Sequence, residues 1–153
     1  MILGKLFVDV TEYALNIEDG YSYVFGKKQG AISAFFGVVR EYNLGRRVIQ
    51  IDYDVYKSMA LKTFRAICQE NIEQHGNMFN QYVIHFSGIL PVGELSVGVV
   101  VSSPHRKEAF IASQYIIDNL KHRAPIWKKE YYEDGETEWV QGHSLCKNSN
   151  RIL

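Results

Sequence analysis

From Ile49 to Val55 the side chains alternate, with Ile49, Ile51, Tyr53 and Val55 on one face and Gln50, Asp52 and Asp54 on the other. A period of two is that of a half-buried strand. From Ser58 to His75 the period lengthens: Ala60, Phe64, Ile67, Cys68 and Ile72 recur near helical spacing, and Gly76 ends the run. An amphipathic helix directly after an amphipathic strand asks for a layer of helix on sheet, and this sets the fold class sought in the rest of the chain.

The remaining segments agree. Lys5 to Val10 reads as a first strand and Asn16 to Phe25 as a short helix. Gly30 opens an apolar strand, Ala31 to Val39, that ends at Arg40 and Glu41, and Asn43-Leu44-Gly45 has the composition of a turn. Tyr82 to Leu90 and Leu95 to Ser102 read as two strands joined by Pro91-Val92-Gly93-Glu94. Ser103 is placed as an N-cap with Pro104 at the first helical position, and Ala109, Ala112, Ile116 and Leu120 line one face of the helix that follows. Pro125 disfavours helix at Ala124 and stops it. Two short strands then flank an Asp134-Gly135 turn. The expectation is an α+β single domain with a mainly antiparallel sheet and about three helices. It covers residues 1–142, with 143–153 as a loose polar tail.

Composition narrows the partners. Lys plus Arg and Asp plus Glu are 17 each in 153 residues, so no global field recruits nucleic acid or anionic lipid. Neither an RNP-like nor a helix-turn-helix signature accompanies the 13% aromatic content. The apolar start, Met1 to Val10, is too short for a signal peptide, and the run Val97 to Val101 is strand-sized. Two cysteines make no disulfide framework, and a reducing cytoplasm is the expected location.

Any anion site must therefore come from local clustering. Between His105 and Lys129 lie His105, Arg106, Lys107, Lys121, His122, Arg123, Lys128 and Lys129, against Glu108 and Asp118. One reading is a solvated helix with cations at its C-terminal end, where the macrodipole favours them. The other is an anion site. His105 and Arg106 sit in the first helical turn, where cations oppose the dipole but can join free backbone N–H groups around a phosphate. Lys128 lies beyond Pro125 beside Ile126 and Trp127, an apolar setting for a lysine. Cys68 is on the apolar face of its helix, and Cys146 has no helix terminus to activate it, so neither reads as a nucleophile. The five histidines show no metal-ligand spacing, and no metal or cofactor is expected. Gly26-Lys27-Lys28-Gln29-Gly30 lacks the end of a phosphate loop. Phe35 and Phe36 are adjacent in a strand, so one faces the core and the other can line a pocket. His85, in an apolar strand, reads as a satisfied core histidine.

Five segments in order resemble the large subunit of molybdopterin synthase. They are Gly30-Ala31-Ile32 through Phe36-Gly37-Val38-Val39-Arg40; Ile51 to Tyr56 with Met59-Ala60; His85 through Gly88 with Val92-Gly93-Glu94; Ser102 to Arg106; and Leu120 to Glu130, followed by Asp134-Gly135 and Trp139-Val140. The string Lys121-His122-Arg123-Ala124-Pro125-Ile126-Trp127-Lys128-Lys129-Glu130 is the most specific. Departures from the family pattern are Ala34, Phe86 and Glu41, where Thr, Arg and Asn are frequent.

The resemblance implies an α/β-hammerhead-like fold and a sulfurtransferase. A small ubiquitin-like subunit, ending in a Gly-Gly thiocarboxylate, would insert its tail into the large subunit. Two sulfurs would then pass to a cyclic pyranopterin monophosphate, forming the dithiolene of molybdopterin. Carried over residue by residue, Lys121 and Lys128 are catalytic candidates; Val38, Val39, Arg40, His105, Arg106, Lys129 and Glu130 would form the substrate pocket, with Phe35 as a wall. The alternative is a non-catalytic module that binds a partner's acidic C-terminal tail. His105 and Arg106 lie one helix length from Lys121, roughly 22–24 Å at the α-helical rise. A single pocket using both ends therefore implies a homodimer within a heterotetramer, each site shared by two copies of the chain.

Overall fold

The computed structural model describes residues 4–135 and 137–141. Along the chain run β1 (Leu6–Thr11), α1 (Ile17–Val24), β2 (Ala31–Val38), β3 (Tyr42–Asn43), β4 (Arg46–Val55), α2 (Lys57–His75), β5 (Asn80–Phe86), β6 (Gly88–Pro91), β7 (Leu95–Ser103), α3 (Arg106–Arg123), β8 (Ile126–Tyr132) and β9 (Thr137–Gln141). The architecture is α+β with three helices among the described residues, as the periodicities indicate.

The first sheet has the order β1-β5-β7-β2; β1 is parallel to β5 and the other pairs are antiparallel. Helices α2 and α3 cover one face, where Phe64, Ile67 and Cys68 meet Ala112, Ile116 and Leu120 over Val83, Val97, Val99 and Val101. On the other face Val24 of α1 packs with Tyr82, Ile84 and Val100. Strands β5 and β7 are thus buried on both faces, which is why Val97 to Val101 is an unbroken apolar run. Helix α1 starts at Asn16, whose side chain accepts from the Glu18 N–H at 2.9 Å. The second sheet has the order β3-β4-β8-β9, with β6 also paired to β4. Its core joins Val48, Ile51, Leu90 and Tyr132 to Phe86 and Val39 from the first sheet's margin.

Three sequence expectations are corrected. Tyr82 to Leu90 is two strands: β5 leaves the first sheet at Phe86, and from Gly88, at φ 126°, β6 enters the second. Ser103 is not a helix cap, because it remains in β7, buried and paired with Ala31; His105 occupies the cap and makes no side-chain cap bond. Ile49 does not share the inner face of its strand. The ladder between β4 and β8 shifts between Val48 and Gln50, so Val48 is buried and Ile49 is 53% exposed. The turn at Leu44-Gly45 is a two-residue hairpin with both residues left-handed, φ 51° and 78°. The tail expected at 143–153 lies outside the described residues.

The shift within β4 has a direct test. Val48→Ala should lower the urea-unfolding free energy by about 2 kcal/mol, whereas Ile49→Ala should change it by less than about 0.5 kcal/mol. Equal losses would mean that the strand keeps unbroken alternation.

Candidate active site

Where the two sheets meet, the end of α3, the start of β8 and the end of β2 enclose a cavity of about 680 Å³, within the range of small-molecule sites. Pro125 makes this arrangement possible. Helix α3 ends at Arg123, and Ala124 turns to an extended backbone. The Ile126 N–H then closes a tight turn on the Ala124 carbonyl at 2.9 Å, and the Tyr56 N–H bonds the Pro125 carbonyl at 3.2 Å. The chain reverses at once into β8, so Lys121 at the helix end and Lys128 on the strand line one cavity. Leu120 and Ile117, packed in the core, hold the helix turn that carries Lys121. The Lys121 ammonium stands 6.0 Å from the centre of the Phe35 ring. Phe35 lines the cavity together with Val38 and Arg40.

Lys128 faces inward with its side chain 17% exposed, and its Nζ lies 3.0 Å from Oε1 of Glu130. Glu130 is buried, 3% exposed. Its second oxygen accepts from the Asn43 amide at 2.8 Å and from the Tyr132 hydroxyl. Burial pushes the Glu130 carboxyl up, but the Tyr132 hydroxyl, Lys128 and Asn43 outweigh it and hold the group below the usual carboxylate value. The buried charge is therefore an ionised, fully coordinated carboxylate, and the lysine ammonium is anchored to it.

His85 is the satisfied core histidine that its strand suggested, and also part of the cavity wall. Its Nδ1 donates to the Phe86 carbonyl at 2.7 Å, and its ring stands edge-on to Tyr53 at 5.2 Å. Burial pushes its pKa down to about 4; the bond to Phe86 opposes this and the Lys121 charge adds to it. A neutral imidazole with Nδ1 protonated leaves Nε2 as an acceptor in a cavity otherwise supplied with cations.

The other candidates lie elsewhere. Val39 is buried in the second core, with its N–H on the Glu94 carbonyl and its carbonyl on the Gly93 N–H. Its neighbours Val38 and Arg40 line the cavity, whereas Val39 packs into the second core. Lys129 likewise falls on the other face of β8 from Lys128 and Glu130, 5.3 Å from the Tyr131 ring centre and 5.6 Å from that of Trp139. His105 and Arg106 are exposed at the opposite end of α3 from Lys121 and do not line the cavity of their own chain. Cys68 is fully buried, its thiol pushed up to about 12 by desolvation, as an inert core residue should be. Cys146 lies outside the described residues. Sequence reasoning missed Asn43, Leu44, Tyr53 and Ser96 as cavity residues. The turn signal at Asn43-Leu44-Gly45 was visible, but not the partner that the turn leans on.

The depressed His85 pKa predicts an acid-labile fold. The unfolded histidine titrates near 6.5 and the folded one near 4, so the unfolded state binds the extra proton in between. The stability this group contributes is full above that window and falls as pH drops through it, by about 3 kcal/mol in all. Urea unfolding of His85→Phe at pH 7 and pH 4.5 should show a smaller pH-dependent loss than the parent. An identical loss in both would show that His85 is not the source.

Comparison with known proteins identifies the family. The family model described as MoaE protein matches residues 10–123. The molybdopterin synthase catalytic subunit of Bacillus subtilis (strain 168) is 39% identical over 132 residues, covering 86% of this chain and 83% of that protein. The crystal structure of molybdopterin synthase from Staphylococcus aureus superposes with a TM-score of 0.82 at 33% identity, covering 86% of this chain and 95% of that one. The complex of subunits 1 and 2 of the molybdopterin-converting factor from Helicobacter pylori shares the fold, with a TM-score of 0.68 at 20% identity over 88% and 90% of the two chains. The family match over residues 10–123 and the relatives at 39% and 33% identity show that the chain belongs to the MoaE family of molybdopterin synthase catalytic subunits.

Proposed function

We propose that this chain moves sulfur from the C-terminal thiocarboxylate of a small ubiquitin-like subunit to cyclic pyranopterin monophosphate, making the dithiolene of molybdopterin. The observation that carries the reading is the convergence of Lys121 and Lys128 on one cavity, with Lys128 anchored to buried Glu130. A thiocarboxylate is itself the sulfur nucleophile, so the chain need supply no cysteine, in keeping with the inert Cys68. What it must supply is cationic stabilisation of the anionic tail and the phosphate, and a proton donor as oxygen leaves. Arg40, Lys121 and Lys128 provide these. Phe35 and Val38 give an apolar wall to a narrow Gly-Gly tail. The non-catalytic alternative lacks equal support, since the curated relatives are named as catalytic subunits. We place the reaction in the cytoplasm and its machinery within residues 1–142; no described helix is long and apolar enough to cross a membrane.

The same proposal makes the site a shared one. Strand β2 is an edge of the first sheet. Its first residue, Ala31, pairs with Ser103, so His105 and Arg106 lie at that end, while Val38 and the cavity lie at the other. Antiparallel approach of two β2 edges about a two-fold axis would set one chain's His105 and Arg106 beside the other's cavity. Exposed Ile32 and Phe110, 37% and 66% accessible, would be covered in such a dimer. Each cavity could then hold one small-subunit tail, giving a heterotetramer.

Incubation with a thiocarboxylated small subunit and the cyclic pterin should yield dithiolene product. Lys121→Ala should reduce turnover at least about a hundredfold without changing the circular dichroism spectrum, and Lys128→Ala should also impair it strongly. Near-normal turnover in both would sink the assignment. Mixing Arg106→Ala with Lys121→Ala chains under subunit exchange should restore part of the activity through mixed dimers carrying one intact site. No recovery despite demonstrated exchange would rule out a shared site.

A further inference from the structure

The geometry points to Asn43 and Tyr132 as positioning residues for Lys128: both donate to one oxygen of Glu130, so that the other is turned to the lysine ammonium. The inference rests on the reading of Lys128 as a functional group. Its basis is the division of labour between two oxygen atoms. Oε2 of Glu130 takes the Asn43 amide at 2.8 Å and the Tyr132 hydroxyl, and Oε1 takes Lys128 Nζ at 3.0 Å. The terminal torsion of a glutamate is soft, so a lone carboxylate–lysine contact would leave the carboxylate free to swing and carry the ammonium with it. Two donors on the same oxygen remove that freedom.

The two donors are themselves held. Asn43 is the last residue before the Leu44-Gly45 turn and pairs with Arg46 across the hairpin. The Arg46 guanidinium lies 3.6 Å from the centre of the Tyr132 ring and makes two bonds to Asp134, at 3.0 and 2.9 Å. The Asn43 amide also reaches the Tyr132 hydroxyl at 3.4 Å. Hairpin, ring and carboxylate therefore form one unit, and the lysine is placed by a turn far from it in sequence. The charged and titratable groups around Glu130 are Lys128 and Tyr132 on its own strand and Tyr53 on β4, with Arg46 of β4 stacked on the far side of Tyr132.

Two near-isosteric variants separate positioning from folding. Tyr132→Phe keeps the ring under Arg46 and deletes only the hydroxyl, and Asn43→Asp keeps the side-chain shape and replaces the donor by an acceptor. In the complex with a thiocarboxylated small subunit, each should lower kcat about tenfold or more while KM for the cyclic pterin stays within about twofold. The acid limb of the pH–rate profile should move to higher pH, because the carboxylate has lost a donor that favours its charged form. The Glu130 carboxyl, followed by 13C NMR, should titrate at higher pH than in the parent. An unmoved carboxyl titration in both variants, or an unchanged kcat and acid limb while Lys128→Ala is inactive, would overturn the assignment and leave the proposed function standing. Full activity of Lys128→Ala would overturn this inference, and the proposed function falls with it only if Lys121→Ala is fully active as well.

Discussion

Strand β7 is buried on both faces and hydrogen-bonded on both edges, and the remaining layers are arranged around it. Its valines divide by parity: Val97, Val99 and Val101 meet α2 and α3, while Val100 meets α1. Because β7 runs almost directly into α3, with only Pro104 and His105 between them, the register of this strand against β2 and β5 fixes where α3 begins. The helix length then fixes where Lys121 emerges. A slip of one residue in β7 would turn its apolar set over and displace the lysine as well. Core packing and the site's geometry are, in this molecule, consequences of one register.

Pro125 converts that helix end into a site. A gradual exit from α3 would carry the chain away from the second sheet, whereas the reversal at Ala124-Pro125 sends β8 straight onto β4. The second sheet then contributes what the first cannot: a buried carboxylate with a full set of donors. A lone ionised glutamate at this depth would be strongly disfavoured, and its partners reverse the sign of the balance. Electrostatics and topology therefore depend on each other: Tyr132 and Lys128 come from Glu130's own strand, and Asn43 reaches it because the β3–β4 hairpin folds back beside β8.

Much of this was readable from residue patterns. The helical spacing of Ala60 to Ile72, the stop at Pro125 and the turn at Asp134-Gly135 depend on local chemistry, and their elements lie where expected. The lysine pair was legible through the Lys121 to Glu130 string. What escaped depends on relations between distant segments. The switch of sheets at Gly88 was marked only by Ser87-Gly88, a weak breaker signal between the apolar stretches on either side. The exposure of Ile49 follows from a ladder irregularity that alternation cannot reveal. Ser103 has the chemistry of a cap, but a tertiary strand pairing claims it. Asn43 looked like turn material because its partner is 87 residues away, and Lys129 could not be told from Lys128 until the facing of β8 was known.

Leu44 carries a cost of its own. It is a branched, 71% exposed side chain on a left-handed backbone, a conformation that asparagine or glycine adopts with less strain. It is also part of the cavity lining. A selection for thermal resistance alone would find this position quickly, because relief of the strain is worth about 1 kcal/mol. Variants chosen that way would tend to lose the apolar lip of the cavity. The tip of the hairpin is thus where a relaxed backbone and an apolar rim to the cavity pull against each other.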